Sequence, residues 1–594
     1  MDKRRAAAVL QEVAALLELK GANPFKVRAF TNGARSILAL EEDLETLVRE
    51  KRLSQIPGIG KGLERDLTEL VTTGSLAAHE ELRASMPPGL SALLRVPGLG
   101  PKKIRLLWEQ LQIGDLDALE AACRTGRLRE LEGFGEKTSQ KILEGLEYAR
   151  KLEGRVLWSV AHRVGSTIRE ELEKHPHVTR AAVAGSVRRC METVHDVDLL
   201  ASVEEEHREE VMNAFASGAW AARVAGRGPT KSSVITLEGL QVDLRAVSEA
   251  EFPFALHHFT GSKEHNTKLR GMAKARGLKM SEWGMFRGDE LLPARDETEV
   301  FALLNLPYIA PEMREDRGEI EAAMAGTLPH LVEKQSIRGV LHSHTTASDG
   351  KATLREMAQG ARDRGFEFLG IADHSPSAFY ANGLDPTRLR MQAAEVRGFN
   401  AEKSGLTILH GVESDIRDDG SLDYDDEILA TLDFVVASIH SRFAMTKETM
   451  TERILTAIRH PAVAVLGHMT GRRLLQREGY EVDVERILEE AARLGVAVEI
   501  NGHPQRLDLD WRHLRRAISL GVTLSIGPDA HSVAGLDDTW IGLGIARKGW
   551  VEPANLLNCR SVEDVLSFCR RRRENWRPES GARSRYGARG ERIA

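Results

Sequence analysis

Histidines and carboxylates crowd the second half of the chain in short phrases whose residue types suit metal chemistry. They read Leu341-His342-Ser343-His344 with Asp349 close behind, then Asp373-His374, Glu413-Ser414-Asp415, Ile439-His440, Gly467-His468 and Asp529-Ala530-His531. Imidazole and carboxylate ligands together suit Zn²⁺, Mn²⁺ or Fe²⁺, and clustered ions of that kind activate water to attack a phosphorus centre. Nearly every phrase begins just after a β-forming run, at 339–341, 368–372, 406–409, 434–437, 463–466, 496–500 and 522–526. Seven such runs alternating with helical patterns predict a barrel of parallel βα units. Strand ends converge at the C-terminal mouth of that fold. His342, His344, Asp349, His374, Glu413, His440, His468, Asp529 and His531 are therefore expected to share one cavity. Any single one would read as a capping or surface residue; the ordered series does not. Asn501-Gly502-His503 lies at a further strand end, where His503 either touches substrate or plays a supporting or surface role.

A second constellation lies upstream. In Gly185-Ser186-Val187-Arg188-Arg189-Cys190-Met191-Glu192-Thr193-Val194-His195-Asp196-Val197-Asp198, a short strand leads in and another leads out. Residues two apart on a strand face one side, so Asp196 and Asp198 point together. Like charges held that close are costly without a cation between them. Asp243, in Gln241-Val242-Asp243-Leu244-Arg245, has the setting of a third carboxylate on a neighbouring strand. Such hard oxygen ligands suit Mg²⁺ or Mn²⁺ together with substrate phosphates. Gly185 and Ser186 would offer amides and a hydroxyl to a triphosphate, and Arg189 would neutralise its charge. A lone Asp-x-Asp would read as a solvated edge strand. With Gly-Ser before it and a third Asp after, the segment reads as a nucleotidyl-transfer palm.

A third signal is a repeat. Ile56-Pro57-Gly58-Ile59-Gly60, Val96-Pro97-Gly98-Leu99-Gly100 and Leu131-Glu132-Gly133-Phe134-Gly135 share one hydrophobic frame. Each precedes a helix that opens with lysine: Lys61, Lys102 or Lys137. Glycine permits the tight turn and close approach of another molecule, and amides at a helix's positive end suit a phosphate oxygen. One copy would be an ordinary loop. Three copies predict helix-hairpin-helix modules that grip the DNA backbone without reading bases.

The elements that must carry these residues follow from composition and periodicity. The chain has 594 residues with 42% hydrophobic and 29% charged, too long for a single small module and too apolar for a disordered chain. No stretch is long and apolar enough to span a bilayer, and the start reads as an amphipathic helix and not a leader. Four scattered cysteines build no disulfide framework, consistent with a reducing cytoplasm. The net charge of −6 does not exclude DNA, because local fields do the binding. Expected domains are a helical DNA-binding region with the first hairpin (1–85), a second with the other two (86–154), an α+β palm and thumb (155–315), a linker (316–336), the α/β barrel (337–575) and a disordered Gly/Arg/Ser-rich tail (576–594). The Arg570–Arg573 run at the end of the last helix reads as a solvated face, with an extra DNA contact as the less favoured alternative.

These segments resemble family X DNA polymerases. Asn23-Pro-Phe-Lys-Val-Arg-Ala-Phe30 is similar to the opening of their lyase-type domain, and Phe259-Thr-Gly-Ser-Lys-Glu-His-Asn266 to the block that holds the incoming nucleotide. The resemblance implies nucleotide contacts from Gly185, Ser186, Arg189, Phe259, Gly261 and Asn266, and a minor-groove contact from Arg270. The histidine series resembles the PHP superfamily. That likeness implies up to three ions of Mn²⁺, Zn²⁺ or Fe: one on His342, His344, Glu413 and Asp529, a second on Glu413, His440 and His468, a third on Asp349, His374 and His531. The whole looks like the bacterial and archaeal type with an appended PHP domain. The implied reaction is gap filling on gapped or nicked DNA with dNTPs, plus metal-dependent 3′-5′ exonuclease action, by a monomer in the cytoplasm. There are departures. Val187, Cys190, Met191 and His195 break the palm pattern, with His195 in place of a glycine. His258 replaces a tyrosine that screens the sugar 2′ position. Asp66 stands where related enzymes carry a Schiff-base lysine, and a carboxylate forms no imine, so lyase action by that route is not expected. Three rival readings follow from the same residues: a nuclease whose palm serves as a DNA platform, a small-molecule phosphatase of the histidinol-phosphate kind, and a non-enzymatic DNA-binding scaffold, which would leave the metal ligands without purpose.

Overall fold

The computed structural model describes residues 3–574 and 576, except 39, 41–43, 57, 88 and 97–98. The chain divides into two compact units, Met1–Gly154 and Arg155–Ala594.

The first unit is helical. Apolar residues recur one helical turn apart, burying Leu63, Leu67 and Leu70 of Lys61–Thr73 and Ile104, Leu107 and Leu111 of Pro101–Leu111. The three glycine phrases fold alike. In each, the amide of the middle residue donates to the carbonyl three residues back: Ile59 to Ile56 and Leu99 to Val96 at 3.1 Å, Phe134 to Leu131 at 3.2 Å. Those middle residues are buried, which turns the flanking glycines outward. Gly58 and Gly133 need positive φ, +89° and +85°. A Cβ on Gly60, Gly100, Gly133 or Gly135 would meet only open space, and Lys61, Lys102 and Lys137 are exposed beside them. Gly98 lies outside the described residues.

The second unit holds palm, thumb and barrel together. The palm sheet comprises β1 (Arg180–Val183), β2 (Asp196–Ser202), β3 (Ala221–Arg227), β4 (Lys231–Thr236) and β5 (Gln241–Val247), ordered β1-β2-β5-β4-β3. β2 and β5 run parallel while the other pairs are antiparallel. Residues 316–336, expected as a linker, are instead folded in. They carry the helix Glu319–Ala325, whose buried Glu319 meets His265 Nδ1 at 2.6 Å while Ile320 and Ala323 enter the thumb core.

The barrel has seven parallel strands in sequential order: β6 (Gly339–Val340), β7 (Phe368–Ile371), β8 (Thr407–Asp415), β9 (Phe434–Ser438), β10 (Val465–Leu466), β11 (Ala497–Asn501) and β12 (Leu524–Gly527). All seven are buried along their length apart from Thr407, as expected of strands covered on both faces. The seam between first and last strands is closed by a side chain. Asn558 Nδ2 donates to the Gly339 and Ile526 carbonyls at 2.9 Å, and its Oδ1 accepts from Ile526 N. The Arg570–Arg573 run is not a solvated face throughout. Arg572 donates to the Ile458 carbonyl at 2.7 Å and Arg573 to the Ala462 carbonyl at 2.8 Å, tying the last helix to backbone carbonyls of the barrel. Residue 575 and the tail from 577 lie outside the described residues, and no described helix is long and apolar enough to cross a membrane.

Candidate active sites

The nine ligand-type side chains of the barrel meet at the C-terminal ends of its strands. Glu413, on β8, is the hub. Its Oε1 lies 2.9 Å from His468 Nε2, 3.3 Å from His440 Nε2 and 3.5 Å from His342 Nε2, and its Oε2 lies 2.9 Å from His374 Nδ1. Asp529 Oδ1 lies 3.3 Å from His344 Nε2 and 3.8 Å from His342 Nε2. Asp349 Oδ1 stands 3.2 Å from His531 Nε2 and 3.7 Å from His374 Nε2. Three groups offer converging ligand atoms: His342, His344 and Asp529; His374, Glu413 and His440; and His344, Asp349, His374 and His531. The grouping differs from the expectation: His374 and His344 each belong to two sets, Glu413 belongs to one and not two, and His468 falls in none of them.

The donor set fits divalent ions. His342 Nε2, both nitrogens of His344 and Glu413 Oε2 are buried without a hydrogen-bond partner among the described residues. Such groups cost about 1–3 kcal/mol each if left so. Charge points the same way. Burial opposes ionisation of Glu413 and Asp529, yet the imidazoles around them hold both carboxyls well below their ordinary range. Burial also opposes protonation of His440 and His531, but Glu413 and Asp415 push the first up to about 10, and Asp349 with Asp529 push the second up to about 9. His344 goes the other way. Burial first, then His531 and His374, lower it to about 4, keeping the ring neutral.

Sequence reasoning missed Glu499 and gave Asp415 and Asp373, though it named their phrases, no part in aiming these ligands. Glu499, on β11, accepts from His342 Nδ1 at 2.6 Å and from the His468 amide at 2.8 Å. It fits only because residue 527 is glycine, where a Cβ would stand 1.9 Å from its Oε1. Asp415 lies 3.2 Å from His440 Nδ1. Asp373 accepts from Thr345 N at 2.8 Å and from Gln392 Nε2 at 2.5 Å, fixing the turn that bears Asp349. A carboxylate on the far nitrogen of a ligating imidazole sets its tautomer and direction. The readable signal was a carboxylate within a strand that should be apolar. Around the cluster is a cavity of about 420 Å³, lined also by His503, Arg473, Arg477 and Arg506. Arg506 Nε lies 3.3 Å from Asp529 Oδ2. Burial lowers His503 to about 4.

In the palm, register does the positioning. Asp198 pairs directly with Asp243 across the parallel β2 and β5, with Asp196 two residues ahead on the same face. Burial, then Asp196 and Asp243, push Asp198 up to about 6. Gly185, at φ +62°, must lack a Cβ, which would stand 2.1 Å from Asp198 Oδ2. Gly185 and Ser186 open a short helical turn, Gly185–Arg188, directly after β1. Asp243 is already engaged, 2.6 Å from Lys231 Nζ, a cation that sequence reasoning did not single out. Arg189, expected to meet phosphate, is tied elsewhere: its Nε is 2.9 Å from Glu315 Oε1 and its Nη1 donates to the Thr260 carbonyl at 2.7 Å. Asn266 Nδ2 donates to the His258 carbonyl, and Gly261 leaves it room. Phe259 carries the Arg245 guanidinium on its face at 4.2 Å, while Arg270 and His195 are exposed.

The comparisons with known proteins agree with this arrangement. The model described as DNA polymerase beta thumb matches 255–315, helix-hairpin-helix models match 1–76 and 90–147, and the PHP domain model matches 340–503. DNA polymerase/3′-5′ exonuclease PolX of Bacillus subtilis is 41% identical over 575 residues, 96% of this chain and all of that protein. The chain belongs to the PolX family. Relatives outside PolX match a smaller share: the probable phosphatase TTE1963 of Caldanaerobacter subterraneus subsp. tengcongensis is 30% identical over 33% of this chain and 78% of its own length. A probable phosphatase of Shewanella oneidensis is 29% identical over 33% of this chain, again 78% of its own length.

Proposed function

We propose that the chain is a DNA polymerase and metal-dependent 3′-5′ exonuclease that repairs gapped or nicked DNA. The observation that carries this reading is the convergence of nine ligand-type side chains, Glu413 and Asp529 among them, at one end of the barrel, in a chain that also holds Asp198 and Asp243 in register. In the barrel, His342, His344, Asp349, His374, Glu413, His440, His468, Asp529 and His531 would hold up to three Mn²⁺, Zn²⁺ or Fe ions. When bound, these supply a water nucleophile and Lewis acidity at the scissile phosphate. The chain's own contribution is to keep His344 neutral, orient His342 through Glu499, and present Arg473, Arg477 and Arg506 to phosphate. In the palm, Asp196, Asp198 and Asp243 would hold Mg²⁺ or Mn²⁺ against a dNTP, with Gly185, Ser186, Phe259, Gly261 and Asn266 around it. The hairpins (Gly58, Gly60, Lys61, Gly98, Gly100, Lys102, Gly133, Gly135, Lys137) and Arg270 would grip DNA. The protein would act as a cytoplasmic monomer.

A primer-template assay in Mn²⁺, with and without dNTPs, tests both activities at once: extension with dNTPs, shortening without. Asp243→Ala should abolish extension, and His342→Ala should abolish shortening. One pair of observations favours a second reading, a nuclease with a silent palm: Asp243 is tied to Lys231, and Arg189 to Glu315. Extension that is absent in wild type, or unaffected by Asp243→Ala, selects that reading.

A further inference from the structure

Two large rings, Tyr380 on the lining of the barrel cavity and Phe379 next to it in the chain, have no part in the chemistry above. Phe379 is 85% exposed and Tyr380 63% exposed, on the turn Phe379–Ala381 that follows His374. Apolar rings left in water at a site's edge mark a surface that something covers. The loop that bears them is firmly held. Ser377 N donates to Asp423 Oδ2 at 2.6 Å, Asn382 Nδ2 reaches the Ser348 carbonyl at 3.2 Å, and Arg388 Nη1 reaches the Gly383 carbonyl at 3.2 Å. Gly383 packs so closely that a Cβ would stand 1.9 Å from the Ser375 carbonyl oxygen. The rings are thus presented by a scaffold tied to the segments that carry Asp349 and His374. Their centroids are 5.9 Å apart at 79°, edge to face, so the pair covers at most one face of one ring and leaves the others open.

Tyr380 lines the same cavity as Asp349, Glu413 and His440, and Arg473, Arg477 and Arg506 line it too. Guanidinium groups for phosphate beside aromatic faces for bases is the combination that holds single-stranded nucleic acid. A small phosphate ester would need the arginines and not the rings.

We propose that Phe379 and Tyr380 form a platform on which the 3′-terminal base of a DNA strand stacks, unpaired, while its phosphodiester lies among the arginines at the ligand cluster. The proposal rests on the nuclease reading and names the part of the substrate that this edge of the site recognises. A base on the platform has left its partner, so the platform rewards frayed or mismatched ends.

The test compares two 5′-labelled single strands in Mn²⁺, one ending in deoxyadenosine and one in an abasic residue, with the full chain. Wild type should favour the base-ended strand by roughly tenfold in kcat/KM, mostly through KM, since one stacked base is at stake. In F379A/Y380A that ratio should fall to near one, and in Y380F it should persist. Metal content equal to wild type confirms that the variant is folded. A wild-type ratio of one, or an unchanged ratio in F379A/Y380A, overturns the platform. Failure of wild type to shorten either strand overturns the nuclease reading instead.

Discussion

Glu499 touches two of the barrel's histidines without facing the phosphate itself, so its effect is on aim. Glu499→Gln keeps the volume under Gly527 but removes the charge that fixes His342. Metal affinity of the barrel should fall about 10–100-fold, read by equilibrium dialysis with elemental analysis, with a parallel loss of 3′ shortening and retention of primer extension. Equal metal affinity in both proteins would reduce Glu499 to a packing residue. In the palm the relevant charge is Asp198, pushed up to about 6 by burial and by Asp196 and Asp243. Its value when unfolded is about 3.9. A raised carboxyl binds its proton more tightly in the folded state, so folding is penalised as pH rises from about 4 through 6, and a bound cation relieves that penalty. The Mn²⁺-induced rise in Tm should therefore be larger at pH 7.5 than at pH 5. Asp198→Asn should lose that part of the pH dependence while keeping the barrel's share. A wild-type and variant pair with superimposable Tm shifts at both pH values would contradict it.

Among the elements, the three hairpins offer exposed glycines, Gly58, Gly60, Gly100, Gly133 and Gly135 among the described residues, and an exposed lysine in the first turn of each following helix. Counterion release makes each phosphate contact worth about 0.9 in the slope of log affinity against log salt. Lys61→Ala, Lys102→Ala and Lys137→Ala together should flatten that slope by about 2.7, measured by fluorescence anisotropy on a gapped duplex. An unchanged slope would remove the hairpins from the DNA path. The hairpins and barrel strands were legible because their signals are local: a repeated phrase, or an apolar run followed by His or Asp. The barrel strands shifted only at their ends. β8, read as 406–409, runs on through Glu413 to Asp415, because those carboxylates sit inside the sheet's last turns of pleat instead of after them. β3 and β4 went unread. Ala221–Arg227 is largely exposed, and Lys231–Thr236 mixes Lys, Ser and Thr into its alternation, so neither shows a hydrophobic period. Glu499 was hidden for the opposite reason, in a run whose apolar neighbours read as plain core.

At the scale of the molecule, palm and barrel are joined through the turn that carries Arg189. Lys548, at the end of the barrel helix Asp538–Lys548 and 1% exposed, lies 2.6 Å from Glu315 and donates to the Arg189 carbonyl at 2.9 Å. Glu315 also holds Arg189, and although burial pushes its carboxyl up, these two cations hold it below the usual range. Glu192, in the same palm segment, meets Arg512 at 2.9 Å. Such pairings lie hundreds of residues apart in sequence and leave no local trace, which is why Arg189 was read as a phosphate ligand alone. The shared carboxylate allows both roles. With Lys548 in place, Glu315 stays neutralised when Arg189 turns toward a triphosphate; without it, releasing Arg189 strands a buried charge. Breaking a buried pair from one side costs roughly 3–5 kcal/mol, so Lys548→Met should lower the Tm of this unit. It should also raise the dNTP KM for single-nucleotide gap filling by about tenfold, or roughly 1.4 kcal/mol, more than it changes kcat. Adding Glu315→Gln removes the stranded charge and should bring KM back toward wild type even if some stability stays lost. Were KM to stay put while Tm falls, the barrel would be holding the palm together without setting how it takes its nucleotide.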